Sequence, residues 1–150
     1  MPQHNVLFIE DVHDDILLVE RAMKKAGVQC SMTILRDGDE AVEYLKNLES
    51  TATERQLPDL ILLDLKLPRR SGFEVLEWIR QHHDFRRIPV VVLTSSKDRD
   101  DISKAYDLGA NSYLVKPIIP QDMQSLCRVL GLYWLETNYP YPFKNETVEN

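Results

Sequence analysis

The sequence lacks the features that mark membrane, secreted and nucleic-acid-binding proteins. Its 18 Lys and Arg residues are outnumbered by 24 Asp and Glu, and the net charge of −6 argues against binding to polyanions through charge. No apolar run approaches the roughly 18 residues that a membrane-spanning helix needs. The start of the chain also lacks the basic flank and long apolar run of a signal peptide. We therefore expect a cytoplasmic protein with neither a membrane nor a nucleic acid as its partner.

Cysteine and histidine are also scarce, which excludes two kinds of site. Cys30 and Cys127 show no C-x-x-C spacing, so neither a disulfide framework nor a zinc site is expected. We interpret both as buried free thiols. None of the four histidines has the spacing of a metal site or a phosphotransfer helix, and all are interpreted as surface residues: His4, His13, His82 and His83.

The apolar residues that are present alternate between two patterns. The chain has 150 residues, 43% of them hydrophobic, which suits one domain with one core. Short aliphatic runs predict strands buried on both faces, at residues 6–9, 32–35, 60–63, 90–93 and 113–115. Between them, apolar residues spaced about 3.6 apart predict amphipathic helices. This alternation predicts an α/β fold with a doubly wound, five-stranded parallel sheet in the flavodoxin-like order 2-1-3-4-5.

Local patterns mark some helix starts and one loop. Ser71 and Glu74 have the spacing of a capping box, and Asp37 and Glu40 repeat it before another helix. The polar stretch 50–57 predicts a surface loop between the second helix and the third strand.

The last helix carries apolar side chains on more than one face. It is predicted over residues 120–137 and completes a domain of residues 1–137, followed by a tail, 138–150, whose first residues are too rich in proline to be helical. One apolar face packs on the sheet, and the rest predicts a homodimer or docking surface. The candidate residues of this surface are Leu130, Tyr133 and Trp134. The alternative is a wide intramolecular stripe partly covered by the tail.

Acidic residues follow two of the predicted strands at the point where each strand ends. Glu10 and Asp11 come directly after the first strand, and Asp64 comes directly after the third. These strands are neighbours in the order 2-1-3-4-5, so the three carboxylates are expected to share one pocket. Clustered carboxylates repel one another unless protons or a cation bind, and hard oxygen ligands favour Mg²⁺. One such acid is typical of a helix start, but three at matching strand ends predict a metal site.

The fourth and fifth strands bring a hydroxyl and an ammonium group to the same edge. Thr94 follows the fourth strand, and Lys116 with Pro117 follows the fifth. Taken alone, Thr94 is typical of a helix cap and Lys116 of an exposed side chain. Pro117 favours an extended Lys116 and permits a cis bond that would fix the direction of the ammonium. Together with the acids, these residues predict a site that accepts a phosphoryl group.

This ordered set of residues resembles the receiver domain of two-component response regulators. The similarity covers about residues 5–137. It rests on the Glu-Asp pair, on Leu-Leu-Asp-Leu-Lys-Leu-Pro around Asp64 with Gly72 beyond, on Thr94 and on Lys116-Pro117. Such a protein is a phosphoacceptor in signalling and not an enzyme.

The resemblance implies a role for each residue. Asp64 would accept a phosphoryl group from a sensor histidine kinase, and Thr94 and Lys116 would contact that group. Mg²⁺ would be held by Glu10, Asp11, Asp64 and the backbone carbonyl of Lys66. Tyr113 matches the family's aromatic switch position. A shift of Thr94 and Tyr113 would then rearrange the surface formed by the fourth helix, fifth strand and fifth helix.

A narrower resemblance is to the single-domain response regulators that partner cyanobacterial phytochromes. It rests on Gly-Leu-Tyr-Trp-Leu-Glu-Thr at 131–137 and Ile-Leu-Arg-Asp-Gly at 34–38. It implies a phytochrome histidine kinase as the phosphodonor and a homodimer. Only residues 138–150 follow the last helix, too few for a helix-turn-helix, so output is expected to pass to a downstream protein by contact.

Two other functions use a similar strand-end site or the same fold. A Mg²⁺-dependent phosphohydrolase with an aspartate nucleophile typically has a second Asp two residues on, where this chain has Lys66. A flavin or nucleotide module needs a glycine- or hydroxyl-rich loop after the first strand, where residues 10–15 are mostly acidic. The phosphohydrolase is the alternative to the receiver.

Overall fold

The computed structural model describes residues 4–51 and 57–142, over which strands and helices alternate. The strands are β1 (His4–Ile9), β2 (Cys30–Leu35), β3 (Leu60–Leu63), β4 (Val90–Thr94) and β5 (Ser112–Val115). The helices are α1 (His13–Lys25), α2 (Gly38–Thr51), α3 (Gly72–Gln81), α4 (Arg99–Asp107) and α5 (Pro120–Leu130), followed by a π-helix (Gly131–Thr137).

The five strands form one parallel sheet in the order β2-β1-β3-β4-β5, which confirms the predicted topology. β1 and β2 begin earlier than predicted because their pairing starts with His4 opposite Cys30, ahead of the apolar runs. β1 and β3 are direct neighbours, with Ile9 opposite Leu63. The residues that follow these two strands therefore lie side by side.

The sheet separates two apolar layers. α2, α3 and α4 cover one face, and α1 and α5 cover the other. All four residues of β3 are buried because helices cover both faces of this central strand. This double burial accounts for the uninterrupted aliphatic run of β3, since a strand with one wet face would alternate.

Both predicted helix starts are stabilised by side chains. At α3, the Ser71 hydroxyl accepts from the Glu74 N–H (3.2 Å) and the Glu74 carboxylate accepts from the Ser71 N–H (2.8 Å), which confirms the capping box. At α2, Asp37 accepts from the Glu40 N–H (2.7 Å). The Glu40 carboxylate instead accepts from the Arg36 N–H (2.8 Å), one residue earlier than the capping box predicts.

The loop predicted at 50–57 begins later than expected. α2 continues to Thr51, and residues 52–56 lie outside the described part of the chain. The helix includes Ser50 and Thr51 because no proline or glycine interrupts the sequence between its first residue, Gly38, and Thr51.

The last helix keeps its predicted extent but changes geometry part-way. α5 ends at Leu130, and the chain continues as the π-helix. The wider π turn allows Leu130 and Leu135, five residues apart, to be buried in the same apolar layer. Gly131 packs closely on Val28, because a Cβ at this position would come within 2.7 Å of that side chain.

Beyond the π-helix, residues 139–142 are not helical, as the prolines predict. The Arg87 guanidinium lies 4.9 Å from the centre of the Tyr141 ring, a cation–π contact that ties this segment to the loop before β4. Residues 143–150 of the predicted tail are outside the described part. In the ranges 4–51 and 57–142, no helix has both the length and the apolarity to cross a membrane.

Both cysteines are free, as predicted. Cys127 is buried, whereas Cys30, at the start of β2, is only half-buried. Burial raises the pKa of both thiols, that of Cys127 to about 12, which keeps them protonated. His82 differs from its predicted surface placement because its ring stacks on Phe85, with the ring centres 4.6 Å apart.

Candidate functional site

The carboxyl ends of four strands bring the predicted site residues to one edge of the sheet. These residues are Glu10 and Asp11 after β1, Asp64 after β3, Thr94 at the end of β4 and Lys116 after β5. Backbone hydrogen bonds hold neighbouring strand ends in register. The Asp64 N–H donates to the Ile9 carbonyl (3.0 Å), and the Lys116 N–H donates to the Thr94 carbonyl (2.8 Å).

Three carboxylates form a compact cluster at this edge. Glu10, Asp11 and Asp64 each offer an oxygen, and these oxygens lie within 4.8 Å of one another. Glu10 and Asp64 are buried, and Asp11 is the most exposed of the three. Two like charges at about 4 Å repel by about 4 kcal/mol at an effective dielectric near 20, so the cluster needs protons or a cation. Its oxygen ligands fit a divalent cation.

Lys116 is placed among these acids. Its Nζ lies 2.5 Å from Glu10 Oε1, 2.8 Å from Asp15 Oδ2 and 3.2 Å from Asp64 Oδ2. The Lys116 side chain is 8% exposed, so these contacts are screened less than surface ion pairs. An ammonium has three N–H donors, and three carboxylates can engage all of them. The Lys116–Pro117 bond is trans, so the cis bond that the sequence permits is not formed.

Glu10 and Lys116 each shift in protonation. Burial raises the pKa of Glu10 to about 7; the hydrogen bond from Lys116 opposes this rise, and the charge of Asp64 adds to it. Burial alone would lower the pKa of Lys116, but its hydrogen bonds to Asp15 and Glu10 and the charge of Asp64 raise it overall. Lys116 therefore stays charged, and Glu10 is partly protonated near neutral pH.

Thr94 has a hydroxyl that the fold leaves unpaired. The residue is 1% exposed, and its Oγ1 has no hydrogen-bond partner among the described residues. Buried hydroxyls usually have a partner, so one without a partner beside an acidic site favours a ligand that brings an acceptor oxygen.

Tyr113 is linked to the loop that follows Thr94. It pairs with Val92, which lies on the same face of β4 as Thr94. Its hydroxyl donates to the Ser96 carbonyl at 2.9 Å. Burial raises the pKa of the Tyr113 phenol, so the hydroxyl keeps its proton for this bond. The predicted switch role of Tyr113 stays a prediction.

The loop after Asp64 is fixed by close packing. The Lys66 N–H lies beside the Asp64 carboxylate, with N to Oδ1 at 3.4 Å, and the Gly72 N–H donates to the Leu65 carbonyl at 2.9 Å. A Cβ at Gly72 would lie 2.2 Å from the Asp64 carbonyl oxygen, so this approach requires glycine. The backbone of Lys66 is thereby held near the acidic cluster, while its side chain is exposed.

Asp15 is a residue of the site that the strand-end argument missed. It lies in the first turn of α1, yet its carboxylate contacts Lys116, 101 residues further along the chain. The sequence does contain one signal for Asp15, which is its position. The first turn of a helix that directly follows β1 lies at the same edge of the sheet as the end of β1.

The predicted partner surface on the last helix is only partly exposed. Tyr133 is 50% exposed, and Trp134 is half-buried with its ring edge-on to Tyr133, centres 4.9 Å apart. Leu130, at 2% exposure, lies in the core instead of on the surface because it continues the buried stripe of α5. The exposed apolar neighbours are Val129 and Leu132. Tyr133, Trp134 and Val129 border a groove of about 530 Å³ between β5 and the last helix.

Residues 6–128, which include every strand-end residue of the site, match the response regulator receiver domain family. The chain belongs to this family. It is a receiver-domain response regulator, and the phosphohydrolase alternative is not favoured.

Curated relatives of this receiver come from a cyanobacterium and an archaeon. Response regulator Rcp1 of Synechocystis sp. is 39% identical over 136 residues, which cover 91% of this chain and 92% of Rcp1. The probable methanogenesis regulatory protein FilR2 of Methanothrix harundinacea is 40% identical over 133 residues, covering 89% and 84% of the two chains.

Solved structures support the narrower resemblance as well. The phosphorylated cyanobacterial phytochrome response regulator RcpA superimposes with a TM-score of 0.83 at 36% identity, covering 93% of this chain and 99% of RcpA. The Mn²⁺-bound form of Rcp1 gives a TM-score of 0.81 at 38% identity, covering 94% and 100%. The similarity to cyanobacterial phytochrome response regulators is therefore confirmed.

We predict that binding of Mg²⁺ displaces a proton from Glu10. With a pKa of about 7, Glu10 holds roughly three-quarters of a proton at about pH 6.5 in the metal-free receiver. Calorimetric titration in two buffers of different ionisation enthalpy should show about that release per Mg²⁺, falling towards zero above about pH 8. Because protons compete with the metal, Mg²⁺ affinity should rise with pH through about 7.

Glu10→Gln, which has no proton to displace, should release almost none. Asp14→Asn, outside the cluster, should behave like the wild type. Equal release from Glu10→Gln and the wild type would contradict the assignment of the proton to Glu10.

Proposed function

We propose that Asp64 accepts a phosphoryl group from a histidine kinase, with Mg²⁺ held beside it, and that Thr94 and Lys116 contact the group once it is bound. The observation that carries this proposal is the buried Asp64 carboxylate, set within an acidic cluster and 3.2 Å from the Lys116 ammonium. The Lys116 ammonium beside Asp64 and a cation bound to the acidic cluster would offset the negative charge that a phosphoryl group adds.

The transfer is a single displacement at phosphorus. An Asp64 oxygen forms a new P–O bond while the P–N bond to the donor histidine breaks, and the imidazole leaves with the electron pair and takes up a proton. Mg²⁺, held by Glu10, Asp11, Asp64 and the backbone carbonyl of Lys66, would neutralise charge on the phosphoryl oxygens. Lys116 donates to one of those oxygens.

The same group acts on the switch residues. A phosphoryl group offers acceptor oxygens to the unpaired Thr94 hydroxyl, and movement of Thr94 pulls the loop to which Tyr113 is bonded through Ser96. Repacking of Tyr113 then alters the surface of α4, β5 and α5, where a downstream protein binds. This is a shift of population between two packings.

Asp64→Asn should abolish phosphorylation by acetyl phosphate and Mg²⁺, because an amide oxygen is a much weaker nucleophile than a carboxylate. Intact-mass spectrometry should detect one hydroxylamine-sensitive phosphoryl group on the wild type and none on the variant. Asp107→Asn, an exposed acid at the end of α4, is the control and should be labelled like the wild type. Equal labelling of Asp64→Asn would overturn the assignment.

A phytochrome histidine kinase is the proposed phosphodonor. RcpA supports it, since RcpA is a cyanobacterial phytochrome response regulator. Beside the site, Val12, Ile118 and Ile119 expose 45%, 95% and 51% of their surfaces. Apolar side chains exposed around a catalytic edge are suited to contact with a protein donor.

Ile118→Asp should slow phosphotransfer from such a kinase by roughly ten-fold, because a charge replaces an apolar contact, while acetyl phosphate labels it at the wild-type rate. Transfer is measured as ³²P moving from the autophosphorylated kinase. Tyr139→Asp is the control, since Tyr139 is equally exposed (95%) but lies in the tail. Equal slowing with both donors would mean damage to the site and would count against a docking role.

A homodimer through the last helix is proposed as well. The exposed Val129, Leu132 and Tyr133 beside the apolar groove support it, since a second copy would cover them. Tyr133→Asp should then shift sedimentation from dimer to monomer, whereas Ile118→Asp, at the opposite end of α5, should not. An unchanged mass for Tyr133→Asp would exclude this interface.

A further inference from the structure

The partners of Lys116 fall into two classes. Glu10 and Asp64 contact it and also belong to the carboxylate cluster that fits a cation. Asp15 contacts it at 2.8 Å but is not part of that cluster over the described residues. Two of the three partners of Lys116 thus also belong to the candidate cation site, whereas Asp15 does not.

The shared partners become less available when the site is in use. A carboxylate that ligates a cation has less charge to offer an ammonium, and Asp64 changes again when it carries a phosphoryl group. Glu10 has the shortest contact with Lys116 in this structure, so binding of a cation to Glu10 would weaken the closest of the three ion pairs. Lys116 has a flexible stem and needs a fixed anion if its ammonium is to stay in place.

We infer that Asp15 is a positioning residue for Lys116, the anion that keeps the ammonium over Asp64 once the cation has engaged Glu10 and Asp64. This inference rests on the proposed function. Asp15 suits the role because it lies in the first turn of α1 and not at a strand end, so it is held by a different element from Glu10 and Asp64. Its side chain is 31% exposed.

Asp14 provides a matched control. It is the neighbouring acid of the same helical turn, so its removal changes the net charge and the helix terminus in the same way. Asp14 is exposed and is not among the three carboxylates that contact Lys116. A difference between Asp15→Asn and Asp14→Asn therefore reports on contact with Lys116.

The test is the rate at which Lys116 is acetylated by an N-hydroxysuccinimide ester, read by peptide mass spectrometry with and without saturating Mg²⁺. With Mg²⁺, Asp15→Asn should acetylate Lys116 roughly five-fold faster than Asp14→Asn, as expected for loss of one partly exposed charged hydrogen bond. Without Mg²⁺ the difference should shrink, because Glu10 still holds the ammonium. Asp15→Glu should restore part of the protection.

Equal rates in the two Asn variants with Mg²⁺ would overturn the inference. A difference of the same size with and without Mg²⁺ would also overturn it, because it would mark Asp15 as a structural contact independent of the cation. Phosphorylation by acetyl phosphate is measured separately and should slow several-fold in Asp15→Asn alone. If the wild type takes up no phosphoryl group, the proposed function fails, while the acetylation result still decides whether Asp15 holds Lys116.

Discussion

The concentration of negative charge at one sheet edge is the constraint on which the rest of this molecule depends. Three carboxylates, from Glu10, Asp15 and Asp64, contact the Lys116 ammonium, and Asp11 clusters with Glu10 and Asp64. The parallel sheet makes this unavoidable, because register fixes where β1, β3 and β5 end. Burial and the neighbouring charge of Asp64 raise the pKa of Glu10 to about 7, so this carboxyl is partly protonated near neutral pH.

Rigid and adjustable parts are separated in this fold. The loop after Asp64 is locked by the contact at Gly72, and the strands beneath it are buried on both faces. Thr94 ends the buried strand β4, whereas Tyr113 lies on the half-buried edge strand β5 and Lys116 directly follows it. α5 begins four residues after Lys116, and the π-helix that follows it brings Tyr133 to a groove lined by Asn111 and Ser112 at the start of β5. The last helix therefore connects the site's edge of the sheet with the opposite edge.

Much of this arrangement could be predicted from the sequence. Aliphatic runs such as Leu60–Leu63 need burial on both faces, which in a short domain means a parallel sheet, and topology then places Asp64 beside Glu10. The contact of Asp15 with Lys116 could not be predicted in this way, since the two residues are 101 positions apart in the chain. The π-helix could not be predicted either, because its apolar residues also fit an α-helical stripe and the close packing of Gly131 on Val28 is a tertiary contact. The prediction that Leu130 lies on the partner surface was wrong, because the sequence does not show which apolar side of the last helix faces the core.

The unpaired hydroxyl of Thr94 has a thermodynamic consequence for the whole domain. A buried hydroxyl without a partner costs about 1–3 kcal/mol, which is a factor of roughly 5 to 150 in an equilibrium constant. A ligand that places an acceptor oxygen beside Thr94 would remove a penalty of this kind. In the proposed mechanism, pairing of this hydroxyl with a phosphoryl oxygen would therefore add to the stabilisation of the phosphorylated form.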